Sequence, residues 1–289
     1  MKVIKRKKCE AQIFENYNIF LDKWQVNYEE RDIVNHYGRT HVVLAGNPKN
    51  KPLLLFHGVG DNSAIMWVYN MKALTEHFYC ITIDTIGGPG KSKPGKGYNR
   101  DFNQQVWIHS IIQALGIEHC YVAGVSNGAV MAMAYALYNP NVDKVICIEG
   151  CMVLSKADVF KTFAVIFPEI LWPTRQNMLK LLDKFAHPRA GFFEEHSEIA
   201  DYMILIMKAH NQMAMKYQSP SVYDSEKVKL IKSKLHFIFG EYAAGKNTAL
   251  KNKLDRDELR YTIIKSAGHG VNMEQSEQVN QLMINILTA

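Results

Sequence analysis

Cys120-Tyr121-Val122-Ala123, Gly124-Val125-Ser126-Asn127-Gly128 and Ala129-Val130-Met131-Ala132-Met133-Ala134-Tyr135-Ala136 follow one another without interruption. An apolar run that reads as a buried strand passes through a Gly-x-Ser-x-Gly turn into a small-residue helical stretch. So tight a strand-to-helix turn lifts its central side chain clear of the sheet, and its glycines are needed where a Cβ would collide with neighbouring backbone. Ser126 therefore reads as an exposed nucleophile.

A serine hydroxyl is weakly nucleophilic at neutral pH and needs a base within hydrogen-bond reach. Of the eleven histidines, His269 has the placement for it. Ser266-Ala267-Gly268-His269-Gly270 follows the final strand candidate and precedes the last helix candidate, which puts the imidazole on a loop at the carboxyl end of the strands. His57-Gly58-Val59-Gly60 directly follows another apolar run, Leu53 to Phe56. Attack on a carbonyl builds negative charge on its oxygen, and preorganised backbone N–H groups stabilise it. The N–H groups of Val59 and Asn127 are the expected oxyanion-binding pair.

The surrounding chain alternates short apolar strands with longer amphipathic segments. After a hairpin built from Asp32-Ile33-Val34 and His41-Val42-Val43-Leu44, strands are expected at Leu53 to Phe56, Tyr79 to Ile83, Tyr121 to Val125, Lys144 to Ile148, Leu235 to Phe239 and Tyr261 to Ile264. Helices are expected near Met66 to Glu76, Asn103 to Leu115, Ala129 to Tyr138 and Glu274 to Leu287. Continuously apolar strands separated by helices mean an α/β fold with a mostly parallel sheet covered on both faces. The long interval between Ile148 and Leu235 breaks this rhythm. It is rich in Phe, Met, Ile and Leu at helical spacing and reads as a helical insertion after the sixth strand, with a break around His187-Pro188-Arg189. The expected division is a core of residues 1–152 and 221–289 with a cap of residues 153–220, standing over the strand ends where ligands of such sheets bind. Phe163, Phe167, Trp172 and Met207 are candidates for an apolar pocket wall.

At 289 residues and 47% hydrophobic composition the chain can bury a large core. No run approaches the roughly 18 to 20 apolar residues of a membrane span, so stable membrane insertion is not expected. The basic start, Lys2, Lys5, Arg6, Lys7 and Lys8, lacks the apolar region of a secretory signal. The five cysteines have neither zinc nor redox spacing and are expected to be reduced, which together point to the cytoplasm. A net charge of +6 reads as a lysine-rich surface able to attract an acidic partner. Gly90-Lys91-Ser92 is no P-loop, because Thr85 stands where that motif needs its first glycine.

With the oxyanion motif at 57–60, the loop Asp84-Thr85-Ile86-Gly87-Gly88-Pro89-Gly90-Lys91-Ser92, the elbow at 124–128, the insertion and Gly268-His269-Gly270 in this order, the chain resembles the α/β-hydrolase superfamily from about Asp32 onward. The resemblance implies an eight-stranded sheet, no metal or organic cofactor, and hydrolysis of a small-molecule ester with an apolar acyl or alcohol part. It also admits a methyl ester carried on an acidic acyl carrier protein, a thioester or a C–C bond, but no nucleic acid. The chain departs from the family where the catalytic acid usually stands: Gly240-Glu241-Tyr242-Ala243 puts alanine there. Three alternatives follow. Glu149, at the end of the sixth strand, takes the role; Glu241 swings in from its loop; or the acid is missing and the protein is a slow catalyst or a ligand-binding pseudoenzyme.

Overall fold

The computed structural model describes residues 2–150, 169, 171–188, 191–218, 224–242 and 248–289. Its strands are β1 (Tyr28–Asn35), β2 (Gly38–Ala45), β3 (Pro52–Phe56), β4 (Tyr79–Ile83), β5 (Lys93–Pro94), β6 (Cys120–Val125), β7 (Val142–Ile148), β8 (Leu235–Gly240) and β9 (Arg260–Ile264). They form one sheet in the order β1-β2-β4-β3-β6-β7-β8-β9, with the two-residue β5 paired to β2. Strands β1 and β2 are antiparallel to their neighbours, and from β4 to β9 every pair along the sheet is parallel. The eight expected strands are thus all present; β5, too short to carry a pattern, makes a ninth.

The apolar runs follow from burial on both faces. On β3, Leu53 and Leu55 enter one hydrophobic cluster while Leu54 and Phe56 enter another. On β7, Ile146 and Ile148 are divided in the same way from Val145 and Cys147. With period-two alternation and no wet face, a strand reads as uninterrupted hydrophobe. Helices α1 (Lys7–Asp22), α2 (Ser63–Met66) and α3 (Met71–Leu74) cover one face; α4 (Gln104–Ala114) and α5 (Asn127–Tyr138) cover the other.

Two of these differ from expectation. α1 arises from a segment with no expected element, burying Ile13, Tyr17, Phe20 and Leu21 on one helical stripe. The helix expected over Met66 to Glu76 is instead α2 and α3. Between them Asn70 directs its side-chain amide to the carbonyl of Asn272 at 3.0 Å and to Asn280 Oδ1 at 2.7 Å, a buried polar anchor that a continuous helix would not provide.

Between β7 and β8 lie α6 (Arg175–Phe185), α7 (Phe192–Glu195), α8 (Ser197–Ala209) and α9 (Ser225–Lys229). Met178, Leu181 and Leu182 of α6 meet Ala200 and Ile204 of α8 in a separate apolar cluster. The other side of α8, with Ile199, Tyr202 and Ile206, joins the core beneath α1. α6 stops at Phe185, two residues before His187-Pro188, because a proline cannot continue the helix and constrains its predecessor. The chain closes with α10 (Thr248–Arg256), α11 (Val271–Glu274) and α12 (Ser276–Thr288).

The junction of β6 and α5 is wedged against β3. A Cβ on Gly128 would stand 2.6 Å from the Phe56 carbonyl carbon and 2.8 Å from the His57 oxygen, and one on Gly124 would stand 2.7 Å from the Ala129 nitrogen. Gly128→Ala should therefore lower stability by about 1–3 kcal/mol, measured as a drop in the urea midpoint; an unchanged midpoint would mean that the turn has room to spare.

Candidate active site

The turn that links β6 to α5 forces Ser126 to φ 56°, ψ −117°, a left-handed conformation that costs a residue with a Cβ of order 1–3 kcal/mol. Serine at a helix start ordinarily caps the first turn with its side-chain oxygen. Ser126 makes no such bond. The same distortion recurs at two other strand ends, at Glu149 (φ 50°) after β7 and at Ser266 (φ 54°) after β9. Three of the five non-glycine residues at positive φ among the described residues thus lie on the loops that carry the site.

Glu149 is buried, its side chain fully so. One carboxylate oxygen accepts the Gly240 N–H at the end of β8, and its own N–H is fixed to the Ile238 carbonyl at 2.9 Å. The other oxygen lies 3.5 Å from His269 Nδ1 and has no hydrogen-bond partner among the described residues. That separation is within ion-pair reach but lacks hydrogen-bond alignment, as is common for catalytic pairs without substrate. A buried carboxylate with a free oxygen is costly unless a donor comes to it, and His269 Nδ1 is the nitrogen that faces it. Glu241 is exposed, and its carboxylate accepts the Ser266 N–H at 3.2 Å. Of the two sequence candidates, it is Glu149 that meets His269. Ala243 lies outside the described residues.

The loop after β3 comes up against the serine. A Cβ on Gly58 would be 3.4 Å from Ser126 Cβ, so the His57–Gly60 backbone runs directly beside the nucleophile candidate. Val59 has its side chain exposed, and its N–H meets no acceptor among the described residues. Asn127, as the first residue of α5, has an N–H with no partner within its helix. His57 holds the loop in place. Its Nδ1–H donates to the Gly58 carbonyl at 2.8 Å while Nε2 accepts the Thr85 N–H at 2.9 Å. Burial lowers its pKa against the pull of Asp84 and the Gly58 carbonyl, consistent with a neutral ring in that tautomer.

Sequence reading gave Asp84 only as part of the 84–92 loop. In the structure it is a buried hub that accepts the Ser63 N–H at 3.0 Å and the Lys91 N–H at 2.6 Å. It thereby ties the loop after β4 to α2. Asn272 was also missed. Its amide donates to the Met66 carbonyl at 2.8 Å, locking the helix that follows His269 onto α2. Residues that act through backbone partners distant in sequence leave no local motif.

The pocket-wall candidates fare differently. Phe163 and Phe167 lie outside the described residues. Trp172 is a correction: it is 74% exposed, held at the surface just before α6 where its carbonyl accepts from Asn177, and so lines no enclosed wall. Met207 is half-buried against the α6–α8 cluster. Phe185, not singled out from sequence, brings its ring to 5.5 Å from that of His269. Among the described residues no cluster of His, Cys, Asp or Glu could hold a metal ion, and no helix is long and apolar enough to cross a membrane.

A family model described as alpha/beta hydrolase fold matches residues 51–197. Carboxylesterase YbfK of Bacillus subtilis (strain 168) is 24% identical over 286 residues, covering 96% of this chain and 93% of the relative. Among solved structures, that of carboxylesterase CesB (YbfK) from Bacillus subtilis superposes with a TM-score of 0.81 at 22% identity, covering 97% of this chain and 98% of the other. Naproxen esterase (carboxylesterase NP) from Bacillus subtilis gives 0.82 at 21% identity, covering 98% and 99%. At these identities the structural likeness establishes the fold.

Next to the 57–60 loop stands one further acid. Asp61 is buried, and burial pushes its pKa up to about 7, opposed by the Asn62 N–H and reinforced by Asp84. Its folded value lies above the unfolded one, so the folded state holds a proton that the unfolded state releases, and stability falls as pH rises from about 4 to 7. Asp61→Asn should remove that decline, gaining about 2–4 kcal/mol at pH 8 relative to the parent. Urea midpoints across this range decide it; an unchanged slope would contradict the assignment.

Proposed function

The chain belongs to the alpha/beta hydrolase fold family, and from that premise we propose that it is a serine carboxylic ester hydrolase acting through Ser126, His269 and Glu149. The observation that carries the proposal is the buried Glu149 carboxylate facing His269 Nδ1 at 3.5 Å, at the same carboxyl end of the strands as a serine held at φ 56°. Carboxylesterases aligned over 96% of the chain support an ester as substrate.

In this mechanism His269 carries its proton on Nδ1, toward Glu149, which leaves Nε2 free to take the proton of Ser126. The hydroxyl oxygen attacks the ester carbonyl carbon, and the carbonyl electrons move onto oxygen. Val59 and Asn127 N–H groups bind that oxyanion; a donor of this kind is worth about 10²–10³ in rate. As the intermediate collapses, the bond to the alcohol oxygen breaks and His269 returns the proton to the leaving alkoxide. Water then attacks the acyl-enzyme with His269 again as base, and the carboxylic acid departs from a regenerated Ser126. Glu149 stabilises the transient imidazolium by a few kcal/mol, as expected for opposite charges at this separation in a partly buried setting.

Residues 153–220 would act as the cap of this site, with 1–152 and 221–289 as the core. The half-buried ring of Phe185 beside His269 supports an apolar ester group on that side of the pocket. A cytoplasmic location belongs to the same proposal, supported by Cys9, Cys80 and Cys120 being free thiols.

Hydrolysis of p-nitrophenyl butyrate tests the assignments. Ser126→Ala should abolish turnover above background, and Glu149→Gln should lower kcat by about 10²–10⁴ with the fold intact. If Ser126→Ala keeps the parent rate, the mechanism is wrong; if only Glu149→Gln keeps it, Glu149 is not the acid.

A further inference from the structure

The loop that carries His269 is also held by a second carboxylate, that of Glu274. The Gly268 N–H donates to Glu274 Oε1 at 3.0 Å, and the His187 N–H donates to Glu274 Oε2 at 2.8 Å. One carboxylate thus spans two segments far apart in sequence: the loop of the catalytic histidine and the chain leaving α6 of the β7–β8 insertion. The two segments also touch directly, through the His269 N–H on the Phe185 carbonyl at 2.6 Å. There is no slack between them, since a Cβ on Gly268 would come within 2.6 Å of the Ala186 carbonyl carbon and 2.7 Å of the His187 nitrogen.

We propose that Glu274 is a positioning residue that fastens the His269 loop to the end of α6, so that the insertion, together with Glu149, aims the imidazole at Ser126. This rests on the reading of Ser126 and His269 as nucleophile and base. A carboxylate is suited to the task because it offers two acceptor oxygens in one plane to two backbone donors, and bonds to an ionised acceptor are the stronger kind. Burial raises the pKa of Glu274, while the N–H groups of His187, Gly268 and Gly270 favour its charged form. Burial outweighs these donors, so the net shift is upward, while the two backbone hydrogen bonds fix the carboxyl group in place. No group of Glu274 contacts the reacting atoms; its effect passes through the position of His269.

An imidazole displaced by about 1 Å loses rate, because the near-attack geometry is lost, while substrate affinity is largely retained. Glu274→Ala and Glu274→Gln in the full chain separate this from a merely structural role. The expected result for Glu274→Ala is a kcat lower by about 10- to 100-fold on p-nitrophenyl butyrate with KM within about threefold. Glu274→Gln should recover part of the loss, because its amide oxygen still accepts one of the two N–H groups. Amide hydrogen exchange on the same proteins should quicken in 185–188 and in 266–271 together.

The proposal is overturned if kcat stays within about twofold of the parent, if KM alone changes, or if only one of the two segments exchanges faster. Should Glu274→Ala fail to fold, Glu274→Gln gives the same kinetic and exchange readouts. A parent protein that hydrolyses no ester would refute the proposed function instead, and the exchange experiment would still decide whether Glu274 joins the two segments.

Discussion

The close approach of the Gly124–Gly128 backbone to the end of β3 is the constraint from which the rest of the site follows. With Phe56 and His57 carbonyl groups against Gly128, the chain passes from β6 into α5 through a residue at positive φ, and that residue is Ser126. Its side chain makes no capping bond to the helix it precedes, which suits it to the proposed role of nucleophile. The same contact brings the 57–60 loop alongside, since the carbonyls that exclude a Cβ at Gly128 belong to the residues just before Gly58. The proposed nucleophile and oxyanion donors would therefore be set by one packing event rather than by two independent ones.

Around this point the structure concentrates its departures from ordinary backbone and burial. Glu149 combines positive φ with a fully buried side chain and a carboxylate oxygen that has no hydrogen-bond partner among the described residues. Such a group would be selected against in a purely structural strand end, because an apolar residue there would be cheaper to bury. Its retention makes sense if the second oxygen has a partner whose charge appears only during reaction. Strain and unpaired polarity are held in place by the covered sheet beneath, where Leu53 to Phe56 and Val145 to Ile148 are buried on both faces.

How much of this could be read beforehand depended on whether the signal was local. The elbow, the histidine loop and the parallel strands were legible because each is encoded in a contiguous pattern: glycines flanking one residue, or an unbroken apolar run. Glu149 could be named from its place at a strand end. It could be preferred over Glu241 because Glu241 stands two residues before the usual acid position; that Glu241 turns toward the Ser266 N–H, a contact across 25 residues, has no such local sign. Helix α1 was missed because its apolar stripe, Ile13, Tyr17, Phe20 and Leu21, is thin and set among charged and polar residues. The break between α2 and α3, and the gripping of the His269 loop by Glu274, rest on side chains reaching backbone groups some two hundred or some ninety residues away. Neither has a signature in spacing. Trp172 illustrates the opposite error, where an aromatic residue in an apolar stretch invites a buried reading but the chain sets it at the surface before α6.

The central claim is that Ser126 becomes covalently acylated during turnover. Quenching the protein in acid while it turns over p-nitrophenyl butyrate, followed by mass spectrometry of its peptides, tests this directly. The account predicts a butyryl increment on the peptide containing Ser126, absent from Ser126→Ala and accumulating more slowly in Glu149→Gln. Turnover with no acylated peptide, or with the increment on a different residue, would contradict it.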